Sequence, residues 1–452
     1  MFSKEVYQQR RNALKAAIGE GIIILPGNEE SGMNYRDNVY PFRQDSCFLY
    51  FTGIDRPDLC FIIDIDNDQE ILFGDEATVE DIVWTGPQVA IADQAELSGI
   101  AFTRKKIEVE SALRGGRKVH FLPPYRAEAA LKLNAWGLTD QPSVPLIKAV
   151  VAQRSIKTAV EITEIEKAVV ISALMHEKAM ELAAPGLSEN YIAGQLQAVA
   201  IAGGGNLAFP VILTVNGQFL HNHASTNVIQ NGQLVLCDSG AENNMHYAGD
   251  LTRTFPVSGT FTALQQDVYN IVLNAHQKAA AALKPGILFR DVHLLACEQL
   301  TVGLKDLGLM KGDPKEAVAA GAHALFFQCG LGHMMGLDVH DMENLGEEYV
   351  GYTEELKKST QFGLKSLRLG RELEAGFVLT VEPGLYFVPD LIDAWSAEKR
   401  HEDFINYAQV EQFKNFGGIR IEEDFLVTDS GSKLLGPPLV KTVEEIHAFL
   451  KR

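Results

Sequence analysis

The segment LVLCDSGAENNMHYAGDLTRT, residues 234–254, carries two aspartates on a pattern that reads as a β-hairpin. Leu234-Val235-Leu236 is short, apolar and partly β-branched, as a buried strand requires, and Asp238 closes that run. Asn243-Asn244 supplies residues that tolerate turn conformations, and Asp250 falls on the returning strand. An ionised carboxylate on a buried strand is costly unless it is paired or coordinates a metal, so two acids at the centre of a strand pair ask for a cation. The competing reading leaves both acids in exposed turns, where most carboxylates are found. Residues farther along the chain decide between the two.

With 452 residues the chain exceeds one ordinary core, and its length predicts two or three domains. A hydrophobic content of 46% with 22% charged residues is that of a globular protein and excludes a disordered one. The formal net charge of −19 argues against a nucleic-acid partner, because binding a phosphate backbone rests on clustered Lys and Arg. Cys47, Cys60, Cys237, Cys297 and Cys329 are odd in number and lack C-x-x-C spacing, which fits a reducing, cytoplasmic compartment. The N-terminus is polar and basic before any apolar run develops, unlike a secretory signal. No apolar stretch approaches the roughly 18 residues of a spanning helix, so a soluble chain without membrane contact is expected.

An amphipathic helix is expected over residues 4–18, ending at Gly19 and Gly21, then a buried strand over 21–25 closed by Pro26-Gly27. Further strands are expected at 47–52, 59–65, 70–73 and 119–122, with a helical pattern at 126–132. This alternation predicts an N-terminal mixed-sheet α/β domain over residues 1–153, with no nucleotide-binding fingerprint. Near Arg154 the pattern changes. Thr158-Ala159-Val160-Glu161 has the form of a capping box, leading a helix to Ala184 that Pro185-Gly186 stops, and Ser188 starts a second helix. A second domain is therefore assigned to 154–452, with strands at 211–215, 378–381 and 419–427 and helices at 264–283 and 289–307. The polar segment 344–370 reads as a long surface excursion. The fold class is α/β (α+β).

Three further stretches set acids or histidines among apolar residues and glycines: GHMMGLDVH at 332–340, LTVEPG at 379–384 and GIRIEED at 418–424. Singly, His333 or His340 reads as a satisfied core histidine, Glu382 as a solvated turn acid and Glu422 as a local partner of Arg420. Together with Asp238 and Asp250 they make two Asp, two Glu and one His at strand ends. Four carboxylates and an imidazole suit two adjacent divalent cations if two carboxylates bridge them, since without cations the acids repel. An oxygen-rich shell with one nitrogen and no thiolate favours manganese first, with cobalt, iron or zinc as alternatives. Paired ions of this kind activate a water and polarise a carbonyl, so amide hydrolysis is the expected chemistry.

The order Asp238, Asp250, His333, Glu382, Glu422, set in DSG, GDLTRTFP, GHMMGLDVHD, TVEPGLY and IRIEED, closely resembles the pita-bread metallopeptidases. Within them it resembles the aminopeptidase P and prolidase (Xaa-Pro aminopeptidase) branch, and YPFRQDS at 40–46 followed by FLYFTG at 48–53 resembles that branch's N-terminal domain. The resemblance implies a pita-bread catalytic domain that hydrolyses the bond between an N-terminal residue and a following proline. It implies that Asp250 and Glu422 bridge the two ions, that Asp238 completes one site, and that His333 and Glu382 complete the other. Glu382 would also take the water's proton. His221 matches a histidine that assists proton transfer, and His340 one that holds the scissile carbonyl or its oxyanion. Arg420 shares a strand face with Glu422 and can hydrogen-bond the ligand set. A homodimer or homotetramer is implied, with Trp84 resembling an aromatic that reaches a neighbouring subunit's site. A dipeptide-restricted prolidase and a non-catalytic peptide-binding module are the alternatives. Two departures stand out. Asp238 and Asp250 are twelve residues apart where eleven is usual, which predicts an extra turn residue among Glu242 to His246. Cys329 stands where many relatives carry a histidine, and reads as a small buried residue.

Overall fold

Runs of isoleucine, leucine and phenylalanine buried on both faces build the sheet of the first part of the chain. The computed structural model describes residues 1–139 and 141–451. These fall into two units, Met1–Arg154 with Met342–Tyr349, and Ser155–Asp341 with Val350–Arg452. In the first, helix α1 (Lys4–Ile18) stops at Gly19, whose φ of 84° suits a residue without a side chain. Strand β1 (Ile22–Pro26) then enters a five-stranded sheet. Helix α2 (Ser46–Thr52) precedes β2 (Cys60–Asp64), β3 (Gln69–Phe73), β4 (Phe102–Arg104) and β5 (Val119–His120), and the strand order is β4-β3-β2-β1-β5. The β1/β2 and β2/β3 pairs are antiparallel and the β1/β5 and β3/β4 pairs parallel, a mixed sheet. Ile22, Ile24, Ile62 and Phe73 sit in one core on this sheet, each burial worth about 1.5–3 kcal/mol.

Residues 47–52 correct an expectation: they are helical, not a strand. Asp45 caps α2 by accepting from Phe48 N at 2.8 Å, and Gly53, at φ 68°, ends it through a bond to Leu49 O. Every residue of α2 is buried. A helix covered on all sides shows no amphipathic period, and a short apolar run then looks like a strand.

The second unit opens with the expected capping box, Thr158 with Glu161, heading α3 (Ala159–Leu182). α4 (Glu189–Ala202), capped by Ser188, packs on α3. Strands β6 (Ile212–Thr214), β7 (Leu234–Ser239) and β8 (Leu251–Pro256) form a sheet in the order β8-β7-β6, with α3 packed against β7 and β8. Gly249 lets the helix in, since a Cβ there would lie 2.8 Å from the backbone of Val169. Helices α5 (Ala263–Ala282) and α6 (Phe289–Asp306) pack on each other.

The expected strand 419–427 is interrupted. β9 (Val378–Val381) pairs with β12 (Glu423–Val427), while β10 (Gly384–Tyr386) pairs with β11 (Gly418–Arg420). Between the halves one chain carries Glu382-Pro383 and the other Ile421-Glu422. Pro383 has no N–H to donate, so the ladder lapses there, although Ile421 N still donates to Pro383 O at 3.3 Å. The segment 344–370 is also more than a surface excursion. Val350, Tyr352, Leu367 and Leu369 are buried, and it contains the short helices Glu347–Val350 and Leu364–Ser366. Single apolar residues scattered through a polar run have no period to read.

Candidate active site

The β7/β8 register sets Asp238 opposite Thr252. Asp250 immediately precedes β8 rather than lying within it. Both acids are buried, at 8% and 4% exposure, which rules out the exposed-turn reading. The connection closes through a bridge between Glu242 and Ala248. Inside it Asn243 Oδ1 accepts from Met245 N and Tyr247 N, and His246 takes a left-handed φ of 64°. The turn residues thus lie in the interval where an extra one was expected.

The break in the split ribbon supplies two more acids. Glu382 and Glu422 flank the lapse on opposite chains, and Glu422 bridges to Thr252, with Glu422 N donating to Thr252 O at 3.1 Å. His333 arrives on a segment running beside β9: Thr380 N donates to His333 O at 3.0 Å, and Met334 bridges to Leu379. Gly332 permits this approach, because a Cβ would lie 2.0 Å from Thr380 O.

Five separated residues meet here. His333 Nδ1 lies 3.0 Å from the Met334 carbonyl, which can only accept, so the proton sits on Nδ1 and the Nε2 lone pair faces the acids. Nε2 is 3.5 Å from Asp250 Oδ2 and 3.8 Å from Glu382 Oε1. Asp250, His333 and Glu422 each offer a ligand atom within 4.8 Å of the others. Asp250 Oδ1 is buried without a hydrogen-bond partner, while Asp250 N donates to Asp424 Oδ2 at 3.0 Å.

Electrostatics sharpen the case for a cation. Burial, with Asp250 adding to it and Arg420 opposing, raises Asp238 to about 7. Burial also raises Glu382, and it raises Glu422 well above the usual range, with Asp250 and Glu382 as further causes. The acids are too crowded and too dry to ionise together, and divalent charge among them reverses that preference. The orphaned Asp250 oxygen and the oxygen-rich donor set with one imidazole nitrogen fit divalent metal.

Around the acids a second set of contacts holds them in place. Arg420 donates to Asp238 Oδ2, to Tyr386 Oη at 3.0 Å and, through Nε, to Thr252 Oγ1 at 3.2 Å. Thr252 Oγ1 donates in turn to Glu422 Oε2 at 2.6 Å. Arg420 therefore reaches Glu422 through a hydroxyl rather than along one strand face, since β11 ends at Arg420. Sequence reading named neither Thr252, Tyr386 nor Asp424 as part of the site. For Thr252 the signal was present in D-L-T-R-T, whose alternation sets Asp250, Thr252 and Thr254 on one face.

The acids open on a cleft of about 430 Å³ lined also by His221, His340, Arg368 and Cys329. The His340 ring lies 4.3 Å from that of His333 and is pushed down to about 2, by burial first and His333 next. Burial, then Arg420, lowers His221. Both rings are neutral at physiological pH. Cys329 corrects another expectation, being only partly buried and facing the cleft, with its thiol pushed up to about 12 by burial and Sγ 4.0 Å from Tyr386 Oη.

Buried acids gathered about an imidazole where a β-ribbon splits are the equipment of a hydrolytic metalloenzyme, and the chain belongs to metallopeptidase family M24, whose model matches residues 163–429. The model of the aminopeptidase P N-terminal domain matches residues 7–118. The chain is 31% identical to the Xaa-Pro aminopeptidase of Escherichia coli, over 99% of this chain and 98% of that one. It is 32% identical to the Xaa-Pro dipeptidase of Homo sapiens, over 95% of this chain and 88% of that protein. The zinc-substituted aminopeptidase P of Escherichia coli in complex with product aligns with a TM-score of 0.82 at 29% identity, covering 100% of this chain and 98% of that one. The particular branch is thus that of aminopeptidase P and prolidase, with an N-terminal domain ahead of a pita-bread metallopeptidase domain.

Proposed function

We propose that the protein is a Xaa-Pro aminopeptidase, removing an N-terminal residue from peptides with proline in second position. The observation that carries this is the convergence of Asp238, Asp250, His333, Glu382 and Glu422 on one cleft, with three of those acids unable to ionise comfortably without added positive charge.

In this reading Asp238, Asp250, His333, Glu382 and Glu422 would hold two divalent ions, manganese by preference, with cobalt, iron or zinc able to replace it; Asp250 and Glu422 would serve both ions, Asp238 one of them, and His333 with Glu382 the other. Bound there, the ions supply an acidified water and Lewis acidity toward the scissile carbonyl. Glu382 keeps 19% of its side chain open to the cleft and takes the water's proton. His340, a neutral ring, donates an N–H to the carbonyl oxygen as charge builds on it. His221, exposed at the cleft mouth, relays a proton toward the leaving imino nitrogen. Arg420 holds Asp238 and, through Thr252, Glu422.

Two further readings accompany it. The helix Val79–Thr85 exposes Val79, Val83 and Trp84, each at 76–80%, which supports assembly into a homodimer or homotetramer. Cys60, Cys237, Cys297 and Cys329 stand as thiols outside any disulfide, which supports a cytoplasmic location; among the described residues no helix is long and apolar enough to cross a membrane.

The test is metal analysis with peptide hydrolysis. Manganese-loaded protein should cleave Xaa-Pro-Xaa tripeptides, and Asp250→Ala should lose both metal and turnover. Cleavage confined to Xaa-Pro dipeptides would replace the reading with prolidase. An Asp250→Ala variant that kept metal and rate would remove its basis.

A further inference from the structure

His293 and Cys297 are one turn apart on α6, so both side chains leave the same helix face, and Cys297 Sγ lies 3.4 Å from His293 Nε2. The short helix Ala322–Leu325 brings His323 to them. One ligand atom from each of the three lies within 4.8 Å of the other two. All three residues are buried, at 1%, 0% and 3% exposure. Buried polar atoms are normally hydrogen-bonded, yet His293 Nδ1 has no such partner, and His323 offers one nitrogen to the Val318 backbone and leaves the other unmatched. Phe327 flanks the group, its ring centroid 5.5 Å from that of His293. Nothing in the hydrolytic reading uses these residues.

We propose that His293, Cys297 and His323 form a second cation site, separate from the carboxylate cluster, for a thiophilic d10 ion, copper(I) or zinc(II). Two imidazoles and a thiolate are soft and borderline donors, the reverse of the oxygen-rich set in the cleft. Burial holds His293 down to about 3 and His323 to about 4, so both rings are neutral and keep a lone pair at physiological pH. Burial raises the Cys297 thiol far above its usual range, so sulfur keeps its proton until a cation displaces it. Binding forms one sulfur–metal bond, breaks one S–H bond and releases one proton to solvent, with no electron transferred. A monovalent ion with one thiolate leaves no net charge in this dry pocket, which favours copper(I) over zinc(II).

The site would brace the wall of the catalytic cleft. His323 lies ten residues before His333, and between them Phe326 O accepts from Tyr386 N at 2.8 Å while Cys329 faces the cleft. An ion at Cys297 would tie α6 to the start of that segment.

Anaerobic titration of the reduced, full-length protein with cadmium(II) tests this, read by thiolate-to-metal charge-transfer absorption, to which carboxylate and imidazole ligands contribute nothing. One thiolate-bound ion per chain is expected. The band should vanish in Cys297→Ser and survive in Cys329→Ser, and affinity should fall about tenfold or more in His323→Gln and His293→Gln. Circular dichroism checks each variant's fold, and the two histidine variants carry the test if Cys297→Ser does not fold. No band in the parent, a band lost with Cys329 and kept without Cys297, or full affinity in both histidine variants would overturn the site. Copper(I) or zinc(II) held against a chelator by the parent names the resident ion, and retention of neither also overturns the proposal.

Discussion

Thr252→Val isolates the hydroxyl that joins Arg420 to Glu422. The side chain is fully buried, and valine keeps its β-branched shape, so the strand conformation survives. The backbone bridge to Glu422, in which Glu422 N donates to Thr252 O at 3.1 Å, holds the chains in register whatever the side chain. The substitution removes a 2.6 Å bond to Glu422 and a 3.2 Å bond from Arg420 Nε. Hydrogen bonds to charged groups are worth about 1.5–3 kcal/mol, and the loss leaves a buried carboxylate oxygen short of a donor. One such bond's worth of positioning corresponds to roughly a 10–100-fold fall in rate. Outer contacts to metal ligands fall in the same range. Initial rates on a Xaa-Pro-Xaa peptide with saturating manganese, with metal affinity measured in parallel, give the number. Thr252→Ser, which keeps the hydroxyl, should recover most of the rate. If Thr252→Val stays within about twofold of the parent in both kcat/KM and metal affinity, the hydroxyl does not position Glu422 and the account of Arg420 acting through it fails.

Three other perturbations follow from the same packing. Gly332→Ala should lower the melting temperature and metal affinity together, since its Cβ would meet Thr380 O at 2.0 Å and displace His333 at a cost of about 1–3 kcal/mol or more; an unchanged metal affinity would count against the close approach. Lys157→Met should destabilise by about 3–5 kcal/mol in urea unfolding by breaking its buried ion pair with Asp341 at 2.7 Å, while adding Asp341→Asn should restore part of that. His176, fully buried with Nε2 3.1 Å from Ser239 O, is pushed down to about 4 by burial. The unfolded chain binds its proton below about pH 6.5 and the folded one does not, so this residue's contribution is complete at neutral pH and falls by up to roughly 3 kcal/mol as pH drops toward 4. Urea midpoints across that range should therefore decline less steeply in His176→Gln than in the parent, and parallel slopes would contradict the assignment.

The candidate acids stood out in the sequence because carboxylates beside apolar, strand-like runs are physically anomalous, and it was the set of Asp238, Asp250, Glu382 and Glu422 with His333, rather than any one of them, that carried the anomaly. The capping box that opens α3 and the glycine stop of α1 were readable for the same reason: their causes lie within a few residues. Residues 47–52 misled because burial on every side erased the helical period, although Asp45 and Gly53 bracket the helix. The break at Ile421-Glu422 was not readable locally, since its cause, Pro383, sits on the partner strand 38 residues upstream of Ile421. Thr252 escaped notice because a strand threonine is ordinary until its neighbour across the sheet is known.

The turn between the two aspartates is closed by the Glu242–Ala248 bridge below and anchored by Asn243 within, so residues can be gained or lost at its tip without moving either acid. Past Asp250 there is no such latitude. Deleting Leu251 would turn the hydroxyl outward and bring Arg253 to the place that faces Glu422. The distance in sequence between paired acids of this kind is therefore a poor ruler for recognising them, whereas odd or even position counted from the second acid is a strict one.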